Sequence, residues 1–187
     1  AALGDSTALF YSALKGQNRQ LTLKNSKLRL TVNTKGGYVS EAKVLGFKDK
    51  SGDSDLTLFA NNEQSLNFML AGKDINIITA DLFFEPSNAT DSTLTLTAKA
   101  ANGGELTIDY RLGENYLVNI SMQAKGLDGI FAPNYRQVDI EWNGKCRQQE
   151  KGYSFESRYA TLTYKEKDDD SDYLSETEKV IDEPMEK

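Results

Sequence analysis

The segment Lys27–Phe47, KLRLTVNTKGGYVSEAKVLGF, decides the fold class. Leu28, Leu30 and Val32 alternate with Arg29, Thr31 and Asn33, the period of a strand with one buried face. Gly36 and Gly37 can take the positive φ angles of a tight reversal. Beyond them Tyr38, Val39, Ala42, Val44 and Leu45 resume a β-rich run. The segment therefore predicts a β-hairpin, and on physics alone it carries no chemistry.

The same punctuation continues along the chain. After a polar loop at Asp49–Asp55, strands are predicted over Leu56–Ala60, Ser65–Leu70 and Ile75–Thr79. The clearest meander runs from Thr93 to Gln123. Leu94 and Leu96 alternate with Thr, Ala101-Asn102-Gly103-Gly104 turns, and Leu106, Ile108, Tyr110 and Leu112 share one face. Gly113-Glu114-Asn115 turns again before Tyr116, Val118, Ile120 and Met122, so three consecutive strands should pair antiparallel with one side on a core. Val138, Ile140 and Trp142 repeat the pattern, as do Ala160, Leu162 and Tyr164. Short alternating runs and only 3 prolines in 187 residues predict a single all-β domain, a large antiparallel sandwich.

The ends differ in character. Thr7–Lys15 has helical spacing, with Ser6 or Thr7 as an N-cap and Gly16 as a stop, so residues 1–19 are read as a linker or short helix. Residues 20–166 form the sandwich domain. Residues 167–187 are an acidic segment, mobile or helical, in which Ser175 and Glu178 have capping-box spacing.

Composition excludes several function classes. A formal charge of −6 and a pI near 4.8 oppose an electrostatic nucleic-acid binder, which needs a basic face. Cys146 is the single cysteine, so neither an intramolecular disulfide nor a four-thiolate zinc site can form. The chain has no histidine, which removes Ser-His-Asp and Cys-His catalysis, histidine-ligated zinc and the commonest general base near neutral pH. No apolar run reaches the roughly 18 residues of a membrane-spanning helix.

The remaining candidates favour bland readings. Asp49, Asp53 and Asp55 are spaced like loop ligands for calcium, yet Ser54 stands where an EF-hand loop has glycine and Lys50 intrudes, so a solvated turn is expected. Asp168, Asp169, Asp170 and Asp172 read as a solvated charge run. Tyr110, Tyr116, Tyr135, Trp142, Tyr153, Phe155 and Tyr159 could line a sugar or peptide groove, but packing is the stronger expectation for most of them. Gly36-Gly37 and Gly103-Gly104 do not open a helix after a strand, so they are turn glycines and not a nucleotide loop. No catalytic, cofactor-binding or metal-ligating residue is assigned, and the partner-binding surface is left unassigned.

Asn25–Gly37 (NSKLRLTVNTKGG), Asp81–Phe84 (DLFF), the run Tyr110–Met122 and Phe155–Tyr164 (FESRYATLTY) together resemble the periplasmic domain of the bacterial YidC membrane-protein insertase family, in its Bacteroides-type branch. The resemblance spans residues 20–187. It implies a β-supersandwich like that of galactose mutarotases, of which this chain is the N-terminal larger part, lacking its last strands beyond Lys187. Mutarotases use histidines with a carboxylate, a set this chain cannot supply. It also implies a non-enzymatic domain without cofactors at the periplasmic face of the inner membrane. That domain would support insertion and folding of inner-membrane proteins through contacts with Sec translocon components such as SecDF. The alternatives left open are a periplasmic or secreted carbohydrate-binding module and a purely structural adhesion sandwich.

Overall fold

The computed structural model describes residues 9–72, 76–131, 138–165 and 170–174, and the fold is mainly antiparallel β. One sheet is a meander of β1 (Gln20–Lys24), β2 (Leu28–Asn33), β3 (Val39–Lys48) and β4 (Asp55–Phe59), in that order. A second sheet has the order β10-β9-β8-β7, built from β7 (Glu85–Ser87), β8 (Thr93–Lys99), β9 (Glu105–Leu112) and β10 (Val118–Lys125). A third sheet sets β11 (Asp139–Gly144) and β6 (Asn76–Ile78) on either side of β5 (Gln64–Ala71). A separate hairpin pairs β12 (Leu162–Tyr164) with β13 (Asp172–Leu174).

The predicted meander forms in the expected register, with Leu96 opposite Ile108 and Ile108 opposite Met122. The alternation of apolar and polar residues in β2, β8 and β9 turns Leu30, Val32, Leu94, Leu96, Leu106 and Ile108 inward, where each is almost fully buried. These residues join the first two sheets through one apolar cluster, the arrangement of a β-sandwich. Phe10, in the turn that precedes β1, is also buried in that cluster at 1% exposure.

The loop between β2 and β3 does more than reverse the chain. Gly36 and Gly37 have φ of 78° and 66°, as a left-handed turn requires. Gly37 also lies so close to the second sheet that a Cβ there would sit 2.8 Å from Ile108 Cδ1 and 3.4 Å from the Phe84 ring. Its carbonyl accepts a 2.6 Å hydrogen bond from the Tyr110 hydroxyl, which is 2% exposed. Burial pushes the Tyr110 phenol well above its ordinary range, so it stays a neutral donor. The loop between β2 and β3 thus packs directly on the second sheet.

Asn25 fastens the sheets at the other end of β2. Its Oδ1 accepts from the Lys27 and Leu28 amides, while its Nδ2 donates to the carbonyls of Gly113 and Asn115 in the β9–β10 turn. Two expectations of burial fail. The face of β11 that alternation assigns to a core is open, with Ile140 at 62% and Trp142 at 74% exposure. On β10 the inward-facing Ile120 is 40% exposed. Each strand lies at the end of its sheet, and among the described residues no element covers these positions.

Candidate functional site

Those uncovered positions converge. Leu28 and Leu30 of β2, with Val39, Ala42 and Val44 of β3, floor a groove of about 380 Å³. Leu58 and Phe59 of β4 and Leu66 of β5 form one wall, and Tyr116, Val118 and Ile120 approach from the β10 side. Trp142 reaches over from β11, where its indole N–H donates to Gln64 Oε1 at 2.6 Å. Among the described residues the lining contains no charged side chain. A surface of this kind suits apolar side chains.

Backbone geometry adds a second feature. Among the described residues β10 hydrogen-bonds only to β9 and β11 only to β5, so each has one unpaired edge beside the groove. An unpaired edge presents alternating N–H and C=O groups to any extended chain laid along it. On β10 the residues that would flank such a chain, Val118 and Ile120, are the same ones that line the groove.

The corner between β4 and β5 holds this region in shape. Glu63 Oε2 accepts from Arg147 Nε at 2.5 Å and from the Ala60 amide at 3.0 Å, and the Glu63 carbonyl accepts from the Lys145 amide at 2.8 Å. The Arg147 hydrogen bond, followed by that of the Ala60 amide, holds the Glu63 carboxyl below the usual glutamate range. The chain leaving β11 is thereby fixed against the β4–β5 turn, which keeps Trp142 over the groove.

The other sequence candidates separate. Asp49 Oδ1 accepts from Ser51 N, Ser51 Oγ and Gly52 N, so it closes its own turn, while Asp55 pairs with Lys48 at 3.5 Å. The Ser51 hydroxyl, with the Gly52 amide, lowers the Asp49 carboxyl. Of the acidic run, Asp168 and Asp169 lie outside the described residues, and Asp172 Oδ2 accepts from the Tyr164 hydroxyl at 3.4 Å. Among the aromatics, Tyr110 is core, Tyr116 and Trp142 line the groove, and Tyr135 lies outside the described residues. Tyr153, Phe155 and Tyr159 are exposed around the one-turn helix Tyr153–Glu156. Sequence reasoning missed Leu58, Phe59 and Leu66 as groove residues. Their only signal was ordinary strand alternation, which does not say which faces stay uncovered.

Comparison with known proteins places this architecture. The sequence model of the YidC periplasmic domain matches residues 20–183. The protein named membrane protein insertase YidC from Phocaeicola vulgatus is 42% identical over 173 residues, covering 92% of this chain and 28% of the relative. Its counterpart from Bacteroides fragilis is 37% identical over 172 residues, covering 91% and 28%. The one from Porphyromonas gingivalis is 31% identical over 183 residues, covering 95% and 29%. The chain therefore spans under a third of the length of these curated relatives. With the match running through nearly all of both main sheets and the groove between them, the chain belongs to the YidC periplasmic domain family.

Proposed function

We propose that this chain is a non-catalytic docking domain of a membrane-protein insertase, placed at the periplasmic face of the inner membrane. There it supports insertion and folding of inner-membrane proteins by holding a partner polypeptide. The observation that carries this reading is the coincidence of an uncharged apolar groove with the free edge of β10, whose Val118 and Ile120 serve both. An extended segment with alternating apolar side chains fits the pair, its backbone adding to β10 and every second side chain entering the groove. Sec translocon components such as SecDF are the partners that membership of an insertase family suggests. The lack of histidine supports the non-catalytic role.

Site-specific photo-crosslinking tests this in cells that make the insertase containing this domain. A crosslinker at Ile120 should give a defined adduct with a Sec component, identified by mass spectrometry. One at Thr22, on the opposite face of the first sheet, should not. Equal adducts from both positions, or none from Ile120, would overturn the proposal.

A further inference from the structure

Alternation alone cannot align a chain laid along β10. A one-residue slip turns the apolar side chains out of the groove, but a two-residue slip returns them to it. Because the described lining is uncharged, registers two residues apart make much the same contacts. A partner held in one register requires a distinguishing feature at one end of the groove.

Lys27 stands at such a point. Asn25 Nδ2 donates to the carbonyls of Gly113 at 2.6 Å and Asn115 at 2.8 Å, which clasps the β1–β2 turn to the β9–β10 turn. The clasp brings Lys27 to Tyr116, with its ammonium 5.1 Å from the centre of the ring. The Lys27 amide donates to Asn25 Oδ1 at 2.7 Å and its carbonyl accepts from the Leu45 amide at 2.7 Å, so the backbone that carries the side chain is fixed on both sides. Tyr116 lines the groove and is 49% exposed. Lys27 is exposed too and forms no ion pair among the described residues. Its charge is therefore available to a ligand that also touches Tyr116.

Other charges along the two free edges face elsewhere. Lys125, at the far end of β10, lies opposite Glu105, and alternation places it on the reverse face from Val118 and Ile120. Asp139 and Glu141 alternate with Ile140 and Trp142, so they lie on the reverse face of β11. The groove face thus has a cation at its Tyr116 end and an uncharged lining from there to Ile120.

We infer that Lys27 sets the register of the docked segment by pairing with an Asp or Glu that flanks its alternating apolar run. This rests on the docking role proposed above for the groove. In the bound chain the acidic side chain lies against Tyr116 and the apolar side chains against Val118 and Ile120. A two-residue slip in one direction carries the carboxylate into the uncharged lining without its cation, which is strongly disfavoured. A slip in the other direction leaves Lys27 unpaired.

The test uses the crosslinker at Ile120 in cells that make the full insertase, with the crosslinked partner residue located by tandem mass spectrometry. With Lys27 present, one partner residue should carry most of the adduct. An Asp or Glu should lie about four residues from it, the spacing of Tyr116 from Ile120 along an extended strand. Lys27→Ala should lower the yield about two- to fivefold and spread the remaining adduct to residues two positions away. Lys27→Arg should keep both yield and position. Changing the partner's acidic residue to Lys in the Lys27→Glu insertase should bring the single position back. Unchanged yield and position in both Lys27→Ala and Lys27→Glu would overturn the inference, as would a crosslinked segment with no acidic residue at that spacing, and both results leave the docking role standing. No Ile120 adduct with Lys27 present would overturn the docking role and the inference together.

Discussion

Replacing Gly37 by alanine tests how the two sheets are joined, because two separate penalties fall on one methyl group. The first is conformational: at a φ of 66° an alanine in the left-handed region costs about 1–2 kcal/mol. The second is steric, since the new Cβ would lie 2.8 Å from Ile108 Cδ1 inside a packed core, an overpacking that costs about 1–3 kcal/mol. Together Gly37→Ala should lose about 2–5 kcal/mol, a large share of a typical domain's stability. Equilibrium urea denaturation followed by tryptophan fluorescence and far-UV circular dichroism measures it. A double-mutant cycle separates the penalties. Ile108→Val removes the clashing Cδ1 and alone costs about 0.5–1.5 kcal/mol. In that background Gly37→Ala should be milder by about 1 kcal/mol or more, leaving the φ penalty in place. A loss under about 1 kcal/mol for the single variant, or strict additivity in the cycle, would refute the claim that Gly37 is required for close approach.

The remaining predictions concern the buried hydroxyl, the groove and pH. Tyr110→Phe leaves the Gly37 carbonyl without its buried donor and should cost about 1–2 kcal/mol in the same denaturation assay. Ile120→Lys should change stability by no more than about 0.5 kcal/mol, since the side chain is already 40% exposed, yet abolish crosslinking from Trp142 positions to the Sec partner. Glu63 and Glu41 both have carboxyls lowered in the folded state, so their contribution to stability is complete above the ordinary glutamate value of about 4.3 and is lost as pH falls through the lower folded values. Melting temperature should therefore fall on acidification below that point, and the fall should be shallower in Glu63→Gln, which removes one of the titrating groups.

What the sequence made legible was local. The alternation of Leu94, Leu96, Leu106, Ile108 and Tyr110 specified strands, turns and inward faces because period-2 patterning encodes all three in neighbouring residues. Gly36 and Gly37 were recognisable as turn residues for the same reason. The close packing of Gly37 on Ile108 and Phe84 was not, because no local pattern names a contact between residues so far apart in the chain. Tyr116 and Trp142 were marked as aromatics, but their meeting at one groove depends on the pairing of β11 with β5, a non-local choice.

The disagreement over β10 and β11 is informative in its own right. Alternation such as Val118-x-Ile120-x-Met122 or Ile140-x-Trp142 is the pattern of a strand with one face in a core, and in β8 and β9 it coincides with burial. In β11 and at Ile120 the same pattern meets solvent. Exposed apolar residues scattered singly need no explanation, but here they share one face, border one groove and sit beside unpaired strand edges. Patterned for burial yet left open by the described residues, that face is the surface on which the proposed partner polypeptide would bring sequence and structure into agreement. The crosslinker at Ile120 interrogates that condition directly: a domain whose groove stays empty in the assembled insertase would leave the patterning of β10 without a physical cause.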